Sequence, residues 1–264
     1  MKNHHLILSI ASFKVYSKKV GEKMESEKCY AKMQDGSVLY YEKIGKGKPL
    51  FLLHGNGGSS AYFANQVAEL SQKHQLYLID SRGHGKSTNT RKKIDFFLMA
   101  DDLYAIIQKE HLSKVALLGF SDGANLAMVF CFKYPELVSC LILNSGNTDP
   151  KGVRLFARIG SLIQYAVVWL CAPFDKGMRG FLPILALLFR NIGLSATDLK
   201  KISVPTLILV GKRDSIKLSH SFYLANHIPN ANFMVVKGQG HSFARKNPNI
   251  FNQKVLSFLD KVGQ

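Results

Sequence analysis

The chain has 264 residues, with 35 Lys and Arg against 18 Asp and Glu, for a formal net charge of +17. A hydrophobic share of 47% excludes a disordered chain, and the length suffices to bury a core without disulfide or metal staples. No uncharged apolar run reaches the roughly 18 residues of a spanning helix, and no repeat, heptad array or collagen period is present.

Residues 1–28 read as an extension outside the fold. Their apolar piece, Leu6–Ala11, is too short for the core of a secretory signal, and no small-residue cleavage site follows it, so no such signal is expected. Leu6–Val20 fits a short basic amphipathic helix, and Met24 is a plausible alternative start.

From residue 29 the pattern alternates strand and helix. Cys29–Met33 and Val38–Lys43 read as strands joined at Asp35-Gly36. Pro49–His54 is a continuous apolar run ending in glycines, which predicts a buried parallel strand. A helix over Ala61–His74, a strand over Gln75–Asp80 and a Gly-rich loop over Ser81–Asn89 follow. Ile94–His111 places Phe97, Ala100, Leu103, Tyr104 and Ile107 on one helical face. Lys114–Phe120 is a strand, Ser121–Tyr134 a helix stopped by Pro135, and Val138–Asn144 a strand. After an interruption come a strand (Pro205–Gly211), a helix (Ser219–His227), a strand (Asn232–Lys237) and a helix (Pro248–Val262). This repetition predicts an α/β fold: one parallel sheet with helices on both faces, built from 29–146 and 201–264.

The interruption, 147–200, is helical and apolar. Leu155, Ile159, Leu162, Ile163, Ala166, Val167 and Leu170 recur at helical spacing, with Arg154, Arg158, Ser161 and Gln164 between them. Phe181–Phe189 is a second apolar piece, with Pro183 near its start. The segment is a candidate lid. Its Leu, Phe and Tyr residues and Trp169 suit either an apolar acyl or leaving group or simple packing onto the core. Arg154 and Arg158, one turn apart, suit either a substrate carboxylate or a solvated face.

Gly119-Phe120-Ser121-Asp122-Gly123 lies where a strand turns abruptly into a helix. That turn needs glycines on both sides of a central residue, which it exposes above the sheet edge as a nucleophile. A hydroxyl needs a base. His241 follows the last strand, whereas His74, His111, His220 and His227 read as packed or surface imidazoles. Asp214, after Gly211-Lys212-Arg213, is the candidate orienting acid, with Asp149 as its rival. The order Ser121, Asp214, His241 is that of strand-to-helix serine hydrolases. In His54-Gly55-Asn56-Gly57-Gly58 the backbone can approach a reacting carbonyl, so the N–H groups of Asn56 and Asp122 are the candidate oxyanion hole. Neither a Walker-type nor a dinucleotide-type glycine pattern occurs.

On these motifs, together with Asp80-Ser81-Arg82-Gly83-His84-Gly85-Lys86-Ser87, the chain resembles the α/β-hydrolase superfamily from about Cys29 to Val262. The resemblance implies an eight-stranded, mostly parallel sheet with an antiparallel second strand. It makes Ser121 the nucleophile, His241 the base and Asp214 the acid, with Asn56 and Asp122 lending N–H groups and the Asp80–Ser87 loop structural. A Ser in the elbow argues against the dehalogenase and epoxide hydrolase branches, which place Asp there.

The expected activity is hydrolysis of a carboxylic ester through an acyl-enzyme, with no metal or organic cofactor. Thioesters, amides, lactones, carbon–carbon bonds and acyl transfer stay open on the same residues, as do a non-catalytic ligand-binding protein of this fold and a membrane-surface interaction protein. The partner expected is a small, apolar acyl substrate. The basic residues are scattered, with no run longer than Arg91-Lys92-Lys93 and no nucleic-acid-binding motif, so no nucleic-acid partner is expected. A weak contact with anionic membrane surfaces remains open, and the oligomeric state is not readable. Cys29, Cys131, Cys140 and Cys171 form no C-x-x-C pair or zinc pattern, which suits a reducing, cytoplasmic setting and four small buried hydrophobes.

Overall fold

The computed structural model describes residues 25–264. The helix expected over Leu6–Val20 and the alternative start at Met24 lie outside the described residues. The first strand, β1 (Glu27–Lys32), opens two residues before the expected Cys29 and pairs antiparallel with β2 (Val38–Ile44). The turn between them is held by Ser37 N–H donating to Asp35 Oδ1 at 3.0 Å.

The sheet continues with β3 (Lys48–Leu53), β4 (His74–Ile79), β5 (Val115–Phe120), β6 (Val138–Asn144), β7 (Thr206–Arg213) and β8 (Ala231–Gly240). Its eight strands run in the order β1-β2-β4-β3-β5-β6-β7-β8. β2 is antiparallel to both of its neighbours, and the pairings from β4 to β8 are parallel. Every residue of β5 is buried, as a central strand covered on both faces requires.

Helices α1 (Ala64–Leu70), α8 (Phe243–Lys246) and α9 (Pro248–Lys261) cover one face. They pack Val67, Leu70, Phe243, Phe251 and Leu259 against Leu50, Leu52 and Leu118. Helices α2 (Phe96–Lys109), α3 (Asp122–Lys133) and α7 (Leu218–His227) cover the other, with Leu103, Ile107, Val129 and Leu224 against Phe51, Leu117 and Leu141.

Three elements depart from the sequence reading. The helix expected over Ala61–His74 is a 3₁₀ turn (Ser60–Phe63) followed by α1, and the chain leaves it before His74. His74 is buried opposite Lys48 at the start of β4, and the helix ends four residues earlier than its apolar spacing suggests. Strand β8 runs on through Gly238-Gln239-Gly240, because a register shift between Gly211 and Arg213 lets Arg213 pair with Gly240. The second apolar piece of the insert begins at Lys176. Asp175 caps it, accepting from Met178 N–H at 2.8 Å, so Pro183 falls inside the helix near its end rather than at its start.

The segment between β6 and β7 contains α4 (Leu155–Cys171), α5 (Lys176–Leu185), a 3₁₀ turn (Ala186–Phe189) and α6 (Ala196–Leu199). Helix α4 has the expected amphipathic spacing, but its large apolar residues face outward and only Val168 is buried. They neither pack onto the core nor line the cavity described below. Cys171, at the end of α4, is exposed, so three cysteines and not four behave as buried hydrophobes. Burial pushes the Cys131 and Cys140 thiols up to about 12.

Candidate active site

The end of β5 and the first residue of α3 set the geometry. Ser121 stands between them at φ 53° and ψ −119°, a backbone conformation that L residues adopt only under constraint. The constraint is close packing. A Cβ on Gly119 would lie 2.2 Å from Gly123 O, and one on Gly123 would lie 2.0 Å from Leu53 O. Only glycines let α3 start this close to β3 and β5. Ser121 N–H donates to Asn144 O at 2.8 Å, tying the elbow to the neighbouring β6.

Two loops at the carboxyl ends of β7 and β8 complete the group. His241 follows β8, with its ring 4.9 Å from that of Phe120, and Nε2 accepts from the Ser121 hydroxyl at 3.3 Å. Its Nδ1–H donates to Asp214 Oδ1 at 2.7 Å. Asp214 is buried; its Oδ1 also accepts from Ile216 N–H at 2.9 Å and its Oδ2 from the Ser145 hydroxyl at 2.7 Å. Burial works to raise this carboxyl, but its hydrogen bonds from His241, Ile216 and Ser145 outweigh it and hold the pKa below the usual value. The carboxylate is therefore ionised and fixes the imidazole as the Nδ1–H tautomer. The rival acid, Asp149, is engaged elsewhere, accepting from Lys151 N–H and from Asn191.

Asp122 is the first residue of α3, so the helix offers its N–H no carbonyl. Asn56, in the loop after β3, is held against it. Asn56 Nδ2 donates to Asp122 Oδ2 at 2.9 Å and to Ile184 O of α5 at 2.7 Å. Burial raises the Asp122 carboxyl to about 6, against the opposing hydrogen bonds from Asn56 and Asn125. His54, from the same loop, is a buried support. Its Nδ1–H donates to Gly55 O at 2.8 Å while Nε2 accepts from Ser81 N–H at 3.1 Å, and burial lowers its pKa to about 4.

The Asp80–Ser87 loop braces the site from below. Asp80 accepts from Ser60 N–H and Lys86 N–H at 2.6 and 2.8 Å. Arg82, almost wholly buried, bridges Asp35 and Asp102 at 2.6 and 2.5 Å.

A cavity of about 300 Å³ opens on Ser121 and His241. Its apolar wall is Val153, Leu187, Leu188, Phe189 and Ile216, and its polar wall includes Asn125, Asn147, Arg158 and Arg190. Arg158 thus faces the cavity and makes no ion pair among the described residues, whereas Arg154 Nε donates to Asp214 O at 2.8 Å.

The structure brings Ser121, Asp214 and His241 into one hydrogen-bonded chain and sets Asn56 beside Asp122. Sequence reasoning missed Ser145 and the Asn56 side chain. Ser145 had a visible signal, since Asn144-Ser145-Gly146 is a polar break at the carboxyl end of a strand. Its contact with Asp214 depends on the pairing of β6 with β7, which the linear sequence does not show.

The family model of the α/β hydrolase fold matches residues 48–164. The chain is 26% identical over 255 residues to a protein of Azorhizobium caulinodans that carries the name carbamate hydrolase RutD, covering 86% of this chain and 96% of that one. It is 29% identical over 240 residues to a Haemophilus influenzae protein named as an esterase/lipase, covering 80% and 83%. In fold it is similar to the esterase EaEST of Exiguobacterium antarcticum, with a TM-score of 0.77 at 22% identity over 89% of this chain and all of that one. A hydrolase of Pseudomonas aeruginosa aligns with a TM-score of 0.75 at 18% identity, covering 88% and 98%.

Sheet topology, elbow and these similarities define a hydrolase of the α/β fold. The chain carries the α/β-hydrolase fold.

Proposed function

We propose that the protein is a serine hydrolase that cleaves carboxylic esters. The observation that carries this reading is the continuous chain from Asp214 through His241 to Ser121 at 2.7 and 3.3 Å. His241 Nε2 takes the hydroxyl proton as Ser121 Oγ attacks the ester carbonyl carbon. Asp214 stabilises the imidazolium that forms. The N–H groups of Asn56 and Asp122 receive the charge that develops on the carbonyl oxygen. His241 then protonates the departing alkoxide and activates water to release the acid from Ser121. No metal or organic cofactor enters these steps.

The insert acts as a lid in this reading, since Val153, Arg158 and Leu187–Phe189 close the cavity over Ser121. The apolar wall suits an acyl group of modest length. The relatives named carbamate hydrolase favour one second reading, a carbamate substrate attacked at its carbonyl by the same residues.

The test is hydrolysis of a chromogenic acyl-ester series of increasing chain length, with Ser121→Ala as control. The expected result is an optimum at short to medium chains and a loss of roughly 10⁴-fold or more in kcat in the variant. Turnover retained in the variant overturns the reading. Turnover of carbamates but not esters favours the second.

A further inference from the structure

Helix α4 buries the wrong side for a globular helix. Its small residues Ala157 and Ser161 face the cavity, while Leu155, Phe156, Ile159, Leu162, Ile163, Val167 and Leu170 face solvent. Phe156 is 88% exposed, and Phe174, just past the helix, 91%. On a helix of 3.6 residues per turn these positions fill one continuous arc of about 140°. A patch of this size on a soluble surface marks a docking site.

Charge says what docks there. Lys151 stands exposed just before α4, whereas Arg154 and Arg158 turn inward, and Lys176 and Arg179 follow its end. The Val153–Ile216 bridge and the hydrogen bond from Lys217 N–H to Gly152 O bring exposed Lys217 beside Lys151. Of the neighbouring acids, Asp175 caps α5 and Asp149 accepts from Lys151 N–H and Asn191. An apolar face with basic groups at both ends matches an anionic lipid surface, where apolar side chains enter the acyl boundary and cations meet headgroups. It does not match a second copy. Pairing two such helices in either direction brings basic ends together. No described helix is long and apolar enough to cross a membrane, so α4 would lie in the surface plane.

We propose that the outer face of α4 docks the protein on anionic membranes. This inference does not rest on the ester reading, and Ser121→Ala leaves docking intact. Trp169 supplies the probe, because it is the chain's single tryptophan and lies exposed on α4.

Tryptophan emission of the full chain is followed as vesicles of phosphatidylcholine, with or without phosphatidylglycerol, are added, and flotation measures bound protein. The expected result is a blue shift and flotation with phosphatidylglycerol vesicles, weakening as salt is raised. Leu162→Ser with Ile163→Ser lowers partitioning at least about tenfold, while hydrolysis of a small soluble ester is unchanged. Lys176→Glu weakens binding to phosphatidylglycerol vesicles only. Three results overturn the proposal: no shift with anionic vesicles, undiminished binding by the Leu162/Ile163 variant, or a dimer in sedimentation that the same substitutions dissociate.

Discussion

In β5 every side chain from Val115 to Phe120 is buried, while along α4 only Val168 is. Both segments are apolar by composition. In β5 the apolar run is sandwiched by helices from both faces, and its end positions Ser121. In α4 the apolar arc is turned away from the protein, and the residues that meet the cavity are Ala157, Arg158 and Ser161. Hydrophobicity along a chain thus measures a need for burial without saying who supplies it. For the sheet the supplier is the rest of the fold. For α4 nothing within the described residues covers the arc.

That contrast yields substitutions of very different cost. The largest effect is expected beneath the site, where Arg82 neutralises Asp35 and Asp102 in a buried setting. Arg82→Met leaves a buried carboxylate uncompensated and lowers stability by about 3–5 kcal/mol in urea unfolding. Leu117→Ala, in the sheet interior, removes a fully buried side chain and costs about 2–5 kcal/mol in the same measurement.

Acid acts on the core next. Burial holds His54 near 4 and His84 near 3, below the ordinary 6.5. As pH falls through about 6.5 the unfolded imidazoles take up protons and the folded ones do not, so stability is lost by about 1.4 kcal/mol per pH unit for each. Asp122, raised to about 6, works in the opposite sense between about 6 and 4, because there the folded state binds the proton first. For these three groups together the expectation is about 2–3 kcal/mol less stability at pH 5 than at pH 7, with His74 and His220, also lowered by burial, acting in the direction of His54, read from urea midpoints.

Smallest of all is Leu162→Ser on the outer face of α4, within about 0.5 kcal/mol of the parent. A loss as large as that of Leu117→Ala would show that α4 is buried in solution and would erase the contrast.

How much of this is legible in the chain follows the same division. The parallel strands announced themselves because a strand buried on both faces is apolar at every position, as in Leu50–Leu53 and Leu141–Leu143. The elbow was legible because Gly119 and Gly123 flank a polar pair at a strand–helix junction. Three things were not. The direction of α4's apolar face is a property of what lies beside it, which spacing does not contain. The start of α5 at Lys176 depended on one capping side chain, Asp175, within an otherwise unremarkable polar stretch. The support that Ser145 gives Asp214 arises across paired strands. Periodicity reports elements, and only topology reports which elements meet.

The central claim is that Ser121 is a nucleophile activated by His241 and Asp214. It is tested most directly by treating the full chain with a fluorophosphonate and weighing the intact protein. The account predicts one covalent adduct, located on Ser121 by peptide mapping, absent in Ser121→Ala and formed far more slowly in His241→Ala. A folded protein that takes up no adduct, or carries it on another residue, would contradict it.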